Sequence, residues 1–264
     1  MMRALWTAST GMMAQQLNVD TISNNIANVN SIGYKKTRVE FKDLLYETMG
    51  RGMVIDGKGK PVNLQVGHGV MVSATTKFFT AGNLDNTTNP YDLAIDGPGF
   101  FKVVGPKGEE MYTKDGSFKI SVDGENMKLV TADGYFVQGV NGEIDLGSNV
   151  KDIVIDETGM ITIKRTDETV EEIGNISIST FVNPAGLESV GKNLYKSSLA
   201  SGEAFDAAED GSGGGVLQGF LESSNVQVVE EMVKLIQAQR AYEINSKSIQ
   251  TADEMLGMAN NLRR

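Results

Sequence analysis

Side chains able to do chemistry are sparse in this chain. The one histidine, His68, sits between Gly67 and Gly69. An imidazole that works as a base needs a Ser, Cys or Asp constellation around it, and the sequence offers none, so a surface or turn position is expected. The absence of cysteine excludes disulfides and thiolate metal sites. Asp85, Asp92 and Asp96, with Asn86 and Asn89, invite a calcium loop or a carboxylate pair. They lack the acid-x-acid start, central glycine and terminal glutamate of the twelve-residue calcium loop, and a glycosidase pair would need a cleft that spacing alone cannot define. Gly52-Met-Val-Ile-Asp-Gly57-Lys58-Gly59 nearly spells a phosphate-binding loop. The hydroxyl that would hold magnesium is missing, and Pro61 stands where the helix should open. The expectation is a chain with no catalytic centre, no cofactor and no metal.

The elements around these residues say more than the residues do. Leu5, Met12, Val19 and Ile26 fall seven apart, with Ala8, Gln15, Ile22 and Val29 three positions on. That 3–4 alternation is a narrow coiled-coil seam, not the broad apolar face of a globular helix. Near the other end Val228, Leu235, Tyr242, Ile249 and Leu256 repeat it, with Ala238, Ala252 and Ala259 alongside. The first helix is expected over Arg3 to Asn30, about 40 Å at 1.5 Å per residue, and the last from an N-cap at Asn225. Amides crowd the first helix, Asn25 and Asn28 among them, where a solvated face would carry Lys and Glu; interfacial amides fix register instead.

Charge follows the same division. Arg3, Lys35, Lys36 and Arg38 against Asp20 and Glu40 leave residues 1–40 at +2, while 222–264 stand at −1, so the middle carries −11 of a net −10. Near-neutral ends can pack against copies of themselves while the acidic middle stays solvated. An acidic chain without basic clusters is a poor nucleic-acid binder. The first residues are broken by Thr7, Ser9, Thr10 and Gly11, and no small-x-small site follows, so no cleaved signal peptide is expected. Neither is membrane insertion.

Between the helices, Phe41, Leu44, Leu45 and Tyr46 could prolong the first helix by two turns, before Gly50, Gly52, Gly57, Gly59 and Pro61 mark a hairpin-like excursion. From 70 to 200 the pattern is β: alternating runs at Phe118–Val122, Ile153–Ile155, Ile161–Ile163 and Ile176–Ile178, with Asp-Gly pairs at 96–97, 115–116, 123–124 and 133–134 reading as hairpin turns. Residues 201–215 are small, acidic and Gly-rich, a loop back to the last helix. The expected fold is α+β: N- and C-terminal α-helices forming a joint coiled-coil domain from 1–40 and 220–264, a connecting segment over 41–69, and a central, mainly antiparallel β domain over 70–219.

Three blocks carry a family resemblance. Ala4-Leu5-Trp6-Thr7-Ala8 through Ile22-Ser-Asn-Asn25-Ile-Ala-Asn28-Val-Asn30-Ser-Ile-Gly33-Tyr34-Lys35 resembles the N-terminal signature of bacterial flagellar rod and hook proteins. Asn89-Pro-Tyr-Asp-Leu-Ala-Ile-Asp-Gly-Pro-Gly99-Phe100-Phe101 with Tyr112-Thr-Lys-Asp-Gly-Ser-Phe118 resembles its central block. Ser224-Asn225-Val and Glu230 to Glu243, through Thr251-Ala252-Asp253, resemble its C-terminal signature. Length and both ends look most like the distal-rod branch. The resemblance implies a tube-lining domain built jointly by both termini, with the β domain outside it. It implies as partners copies of itself in a helical tube, other rod and hook-type axial subunits, the flagellar type III export apparatus, and ring or bushing proteins around the rod. It places the chain outside the cytoplasmic membrane.

On that reading the subunit-packing residues are Leu5, Met12, Val19, Ile22, Asn25, Ile26, Asn28, Val29, Val228, Leu235, Arg240, Tyr242, Ile249 and Leu256. The stretch after the first helix, Tyr46 to Val66, is expected to stiffen the rod through Tyr46, Met53, Val54, Ile55, Leu64 and Val66. As free chains the two ends are expected to lack fixed partners and to order on joining a growing tip. Two other readings stay open: a proximal-rod or short hook-type subunit, and a secreted coiled-coil binding module that closes into a defined oligomer.

Overall fold

A computed structural model of the chain describes residues 2–50, 54–55, 58–59, 63–123, 126–140, 142–148, 150–165, 169–206 and 214–261. The chain forms two compact units, one of Met1–Ala27, Thr37–Lys77 and Gln227–Arg264, the other of Asn28–Lys36 and Phe78–Val226. The fold is α+β.

The first unit pairs helix α1, Met2–Ala27, with helix α2, Val228–Asn261. Asn25 hydrogen-bonds Glu231, and Gly11 lies beside Asn245, so the helices run antiparallel. A Cβ on Gly11 would sit 2.8 Å from the Asn245 Nδ2, so glycine there permits the close approach. The first helix stops at Ala27, short of Asn30, because Asn28 closes a turn: its carbonyl accepts the Ser31 N–H at 3.2 Å and its Oδ1 accepts the Ser31 hydroxyl at 3.1 Å.

The helical extension expected over Phe41–Tyr46 is overturned. Strand β1, Thr37–Asp43, pairs antiparallel with a strand thirty residues on, and α1 lies against both. Thr37, Val39 and Phe41 alternate as strand formers, and a long-range ladder outweighs a local helical reading. Strand β2, Tyr46–Gly50, follows, then the short strands β3, Val54–Ile55, and β4, Lys58–Gly59, which pair with each other. Strand β5, Leu64–Gly67, returns along β2, and β6, Val70–Lys77, is the partner of β1.

The second unit is antiparallel β-structure. Its main sheet runs in the order 119–123, 126–130, 136–139, 100–104, 110–113, 194–196 and 188–191, and a separate three-stranded sheet holds 150–155, 160–165 and 170–175. Leu93, Phe101, Val103, Phe118, Leu146, Ile161 and Ile163 build the larger core, and Phe100, Tyr112, Phe181 and Tyr195 a second, aromatic one. Only some Asp-Gly pairs make hairpins. Leu93–Asp96 pairs with distant Gly215–Gln218 instead of folding back at Gly97, and at 115–116 the Asp115 Oδ1 accepts the Ser117 N–H at 3.0 Å, closing a side-chain turn. Ile176 makes only an isolated bridge; the strand is Ile178–Thr180.

Candidate assembly surface

The seam columns of α1 and α2 are covered to different degrees. On α1, Ala8 and Ile22 are buried and Leu5, Met12, Val19 and Ile26 half-buried. On α2, Ala238 and Ala252 are buried, Val228, Leu235, Ile249 and Leu256 half-buried, and Tyr242 exposed. Tyr242 and Val19 line one shallow pocket with Gln16, Gln239 and Glu243. Apart from Ile22 the covered side chains of these columns are alanines, so they bury little apolar surface for helices of this length.

Its polar residues are spent within the chain. Asn25, 2% exposed, accepts the Thr37 N–H at 3.0 Å and donates to the Thr37 carbonyl at 2.8 Å and to Glu231 Oε2 at 3.1 Å. Glu231 is buried and also accepts from Lys234 at 2.6 Å. One amide thereby ties α1 to the first residue of β1 and to α2. Arg240, on the outer side, pairs with Glu243 at 3.1 Å. Asn28 and Val29 lie past the end of α1, half-buried in the second unit.

The outward faces of both helices carry what sequence periodicity missed. Met2, Trp6, Met13 and Leu17 are exposed, Trp6 to 66%. At 100° per residue they form one line opposite the seam. Residues 4–19 contain no charge at all, and a solvated helix face rarely lacks one. That uncharged run is the signal that could have revealed the stripe. On α2, Val229, Met232, Val233 and Ile236 form a second exposed line opposite the seam, Val229 at 76%. Contiguous exposed apolar surface of this kind marks an interaction face.

The ribbon of β2 and β5 is likewise uncovered. Tyr46 and Leu64 are exposed, as are Leu45 and Met49, while Val66 is half-buried. Met53 lies outside the described residues, and for Val54 and Ile55 the structure gives the backbone ladder of β3 with β4. Glu47 on β2 pairs with Arg3 at the start of α1, and His68 stands 3.9 Å from the same carboxylate while its Nδ1–H donates to the Leu45 carbonyl at 3.0 Å. His68 is a tether at the base of the ribbon.

In the second unit the two chain ends are joined by charge. Lys35, fully buried, donates to Glu222 Oε1 at 2.5 Å and to the Thr80 carbonyl at 2.7 Å. Lys114 lies 3.6 Å from Glu222 Oε2 and donates to the Gly97 carbonyl at 2.9 Å. Burial pushes the Glu222 carboxyl up, but the Lys114 charge, the Lys35 hydrogen bond and the Gly82 N–H outweigh it and hold the group below the usual carboxylate range. Burial drives Lys114 the other way, below an ordinary lysine, against the pull of Glu222. Backbone bonds run beside this cluster: the Gly33 N–H donates to Glu222 O at 2.8 Å, and Asn225 Oδ1 accepts the Lys36 N–H at 2.8 Å. The Asn225 amide also donates to the Phe78 carbonyl at 2.8 Å. Asn225 is therefore not the helix cap expected of it; α2 starts later, with the Gln227 carbonyl accepting the Glu231 N–H at 3.0 Å.

Three families match the chain: "Flagella basal body rod protein" over residues 5–35, "Flagellar hook protein FlgE/F/G D1 domain" over 94–163, and "Flagellar basal body rod FlgEFG protein C-terminal" over 217–262. The flagellar basal-body rod protein FlgG of Borreliella burgdorferi is 48% identical over 269 residues, covering 100% of both chains. FlgG of Buchnera aphidicola from Schizaphis graminum is 44% identical, covering 97% of this chain and 98% of its own. FlgG of Bacillus subtilis is 38% identical, covering 100% of both.

Proposed function

This chain belongs to the FlgG family of flagellar basal-body rod proteins and is a structural, non-enzymatic subunit of the distal rod, and we propose that it builds that rod through its two terminal helices. In this reading α1 and α2 form a joint coiled-coil domain that lines the tube, and sister copies cover the apolar faces the single chain leaves open. The observation that carries it is the double exposure: lines of Met, Trp, Leu, Val and Ile on the sides of both helices turned away from their shared seam. Torque transmission needs stiffness, which comes from many simultaneous contacts. The ribbon of β2 and β5, with its exposed Tyr46 and Leu64, adds to them as a brace between neighbours. Other rod and hook-type subunits at the two ends, ring proteins around the rod, delivery by the flagellar type III export apparatus and a place in the cell envelope complete the proposal.

The relatives do not favour a proximal-rod subunit, and they do not favour a closed oligomer. Electron microscopy of concentrated purified protein tests the reading: straight tubes are expected. Persistent single molecules, or rings of fixed size, at every concentration would overturn it.

A further inference from the structure

Resting on the rod reading, we propose that the two outer stripes are each other's partners between successive copies: the α1 stripe of one copy, Trp6, Met13 and Leu17, packs on the α2 stripe of the next, Met232, Val233 and Ile236. The antiparallel register supplies the argument. Gly11 is level with Asn245 and Asn25 with Glu231, so Trp6 to Leu17 lies level with about residues 239–250 of α2, and Met232 to Ile236 with about residues 20–24 of α1. The stripes therefore sit towards opposite ends of the helix pair as well as on its opposite sides. At the level of each stripe the outward face of the companion helix is mostly polar: Arg240, Glu243 and Lys247 on α2, with Ile244 the one large apolar side chain exposed beside them, and Asp20 and Asn24 on α1.

A two-fold contact would bring α1 onto α1 and leave the α2 stripe in water. A head-to-tail contact covers both stripes of every copy with a single operation. It requires the next copy to shift by about ten residues along the helix axis, roughly 15 Å at 1.5 Å per residue. A shift repeated in one direction does not close, so the contact propagates as an open array. Three or four side chains on each face fall well short of the roughly 1,200 Å² that stable pairs bury. Free chains accordingly stay apart, and the contact holds only where other neighbours add to it.

The chain has no cysteine, which makes the test clean. Met13→Cys and Met232→Cys are placed together in one chain, expressed beside the unaltered chain in a flagellated bacterium lacking its own copy, and treated with a short bis-maleimide. The result expected is a ladder of dimers, trimers and longer species from the double variant, and none from either single variant. Trp6→Cys with Ile236→Cys provides an independent pair. Motile cells in which neither double variant gives a ladder, or in which Met13→Cys alone gives dimers, would overturn the head-to-tail contact and leave the rod reading standing. Failure of the unaltered chain to restore swimming would instead bring down the rod reading, and this inference with it.

Discussion

Glu222 holds two lysines at once, which makes it the residue whose loss should cost most. With Glu222→Gln, Lys35 and Lys114 remain buried without a counter-charge, and breaking a buried ion pair from one side costs about 3–5 kcal/mol. The pH dependence follows from the direction of the shift. The folded carboxyl lies below its ordinary 4.5, so its contribution is complete above that value and is lost as pH falls through the depressed folded one. Lys114 acts oppositely: its burial cost is relieved as pH rises towards its ordinary 10.5. Urea midpoints measured by circular dichroism at several pH values should show an acid-side loss in the natural chain that is absent from Glu222→Gln, whose stability is already lower at neutrality. Parallel pH profiles for the two proteins would contradict this role. The sequence shows Lys35 inside a recognisable block, yet nothing local pairs it with a glutamate 187 positions away.

At the scale of elements, the two helices and the ribbon share a deficit of cover. Burying eight partly exposed side chains of the outer stripes yields on the order of 1 kcal/mol each, while association costs about 4–15 kcal/mol. A single contact therefore stands near balance, and several together are firmly favourable. The ribbon is a two-stranded ladder, marginal by itself, and its tie to α1 is the exposed Arg3–Glu47 pair, worth about 0–1 kcal/mol. Its apolar side chains gain most when a neighbour covers them. Deleting residues 46–66 should leave polymers that bend more easily, with a shorter persistence length in electron micrographs; straight polymer of unchanged stiffness would remove the bracing role. The two helices were legible from the spacing of apolar residues because burial follows the 3.6-residue period of a helix. The strands at Thr37–Asp43 and Tyr46–Gly50 were not, because each was decided by a partner strand further along the chain, Val70–Lys77 for the first and Leu64–Gly67 for the second.

For the whole molecule, the second unit includes residues from both sides of a long insertion. The Phe78 N–H donates to the Lys36 carbonyl at 3.0 Å, so residues 37–77 can be replaced by a short glycine-serine loop. A fragment of 28–226 carrying that loop is expected to fold as a β-rich monomer that never polymerises, checked by circular dichroism and light scattering. A fragment of 45–215 should fail to fold. It removes Lys35 and Glu222, strands Lys114 in the interior, and cuts away Val216, 1% exposed, with most of the strand that pairs with Leu93–Asp96. Equal stability of the two fragments would show that the charge cluster is dispensable.

Local pattern by itself determined the two terminal helices, the β character of the middle and the family, because periodicity and signature blocks are properties of neighbouring residues. Tertiary structure alone decided that the segment after α1 is a strand, that Asn225 bridges the chain ends instead of capping a helix, that Glu222 is shared by two lysines, and that each helix keeps a second apolar face uncovered. Those outcomes depend on which residues distant in sequence come to lie within a hydrogen bond of one another, and on which surfaces still have no neighbour when the chain has finished folding.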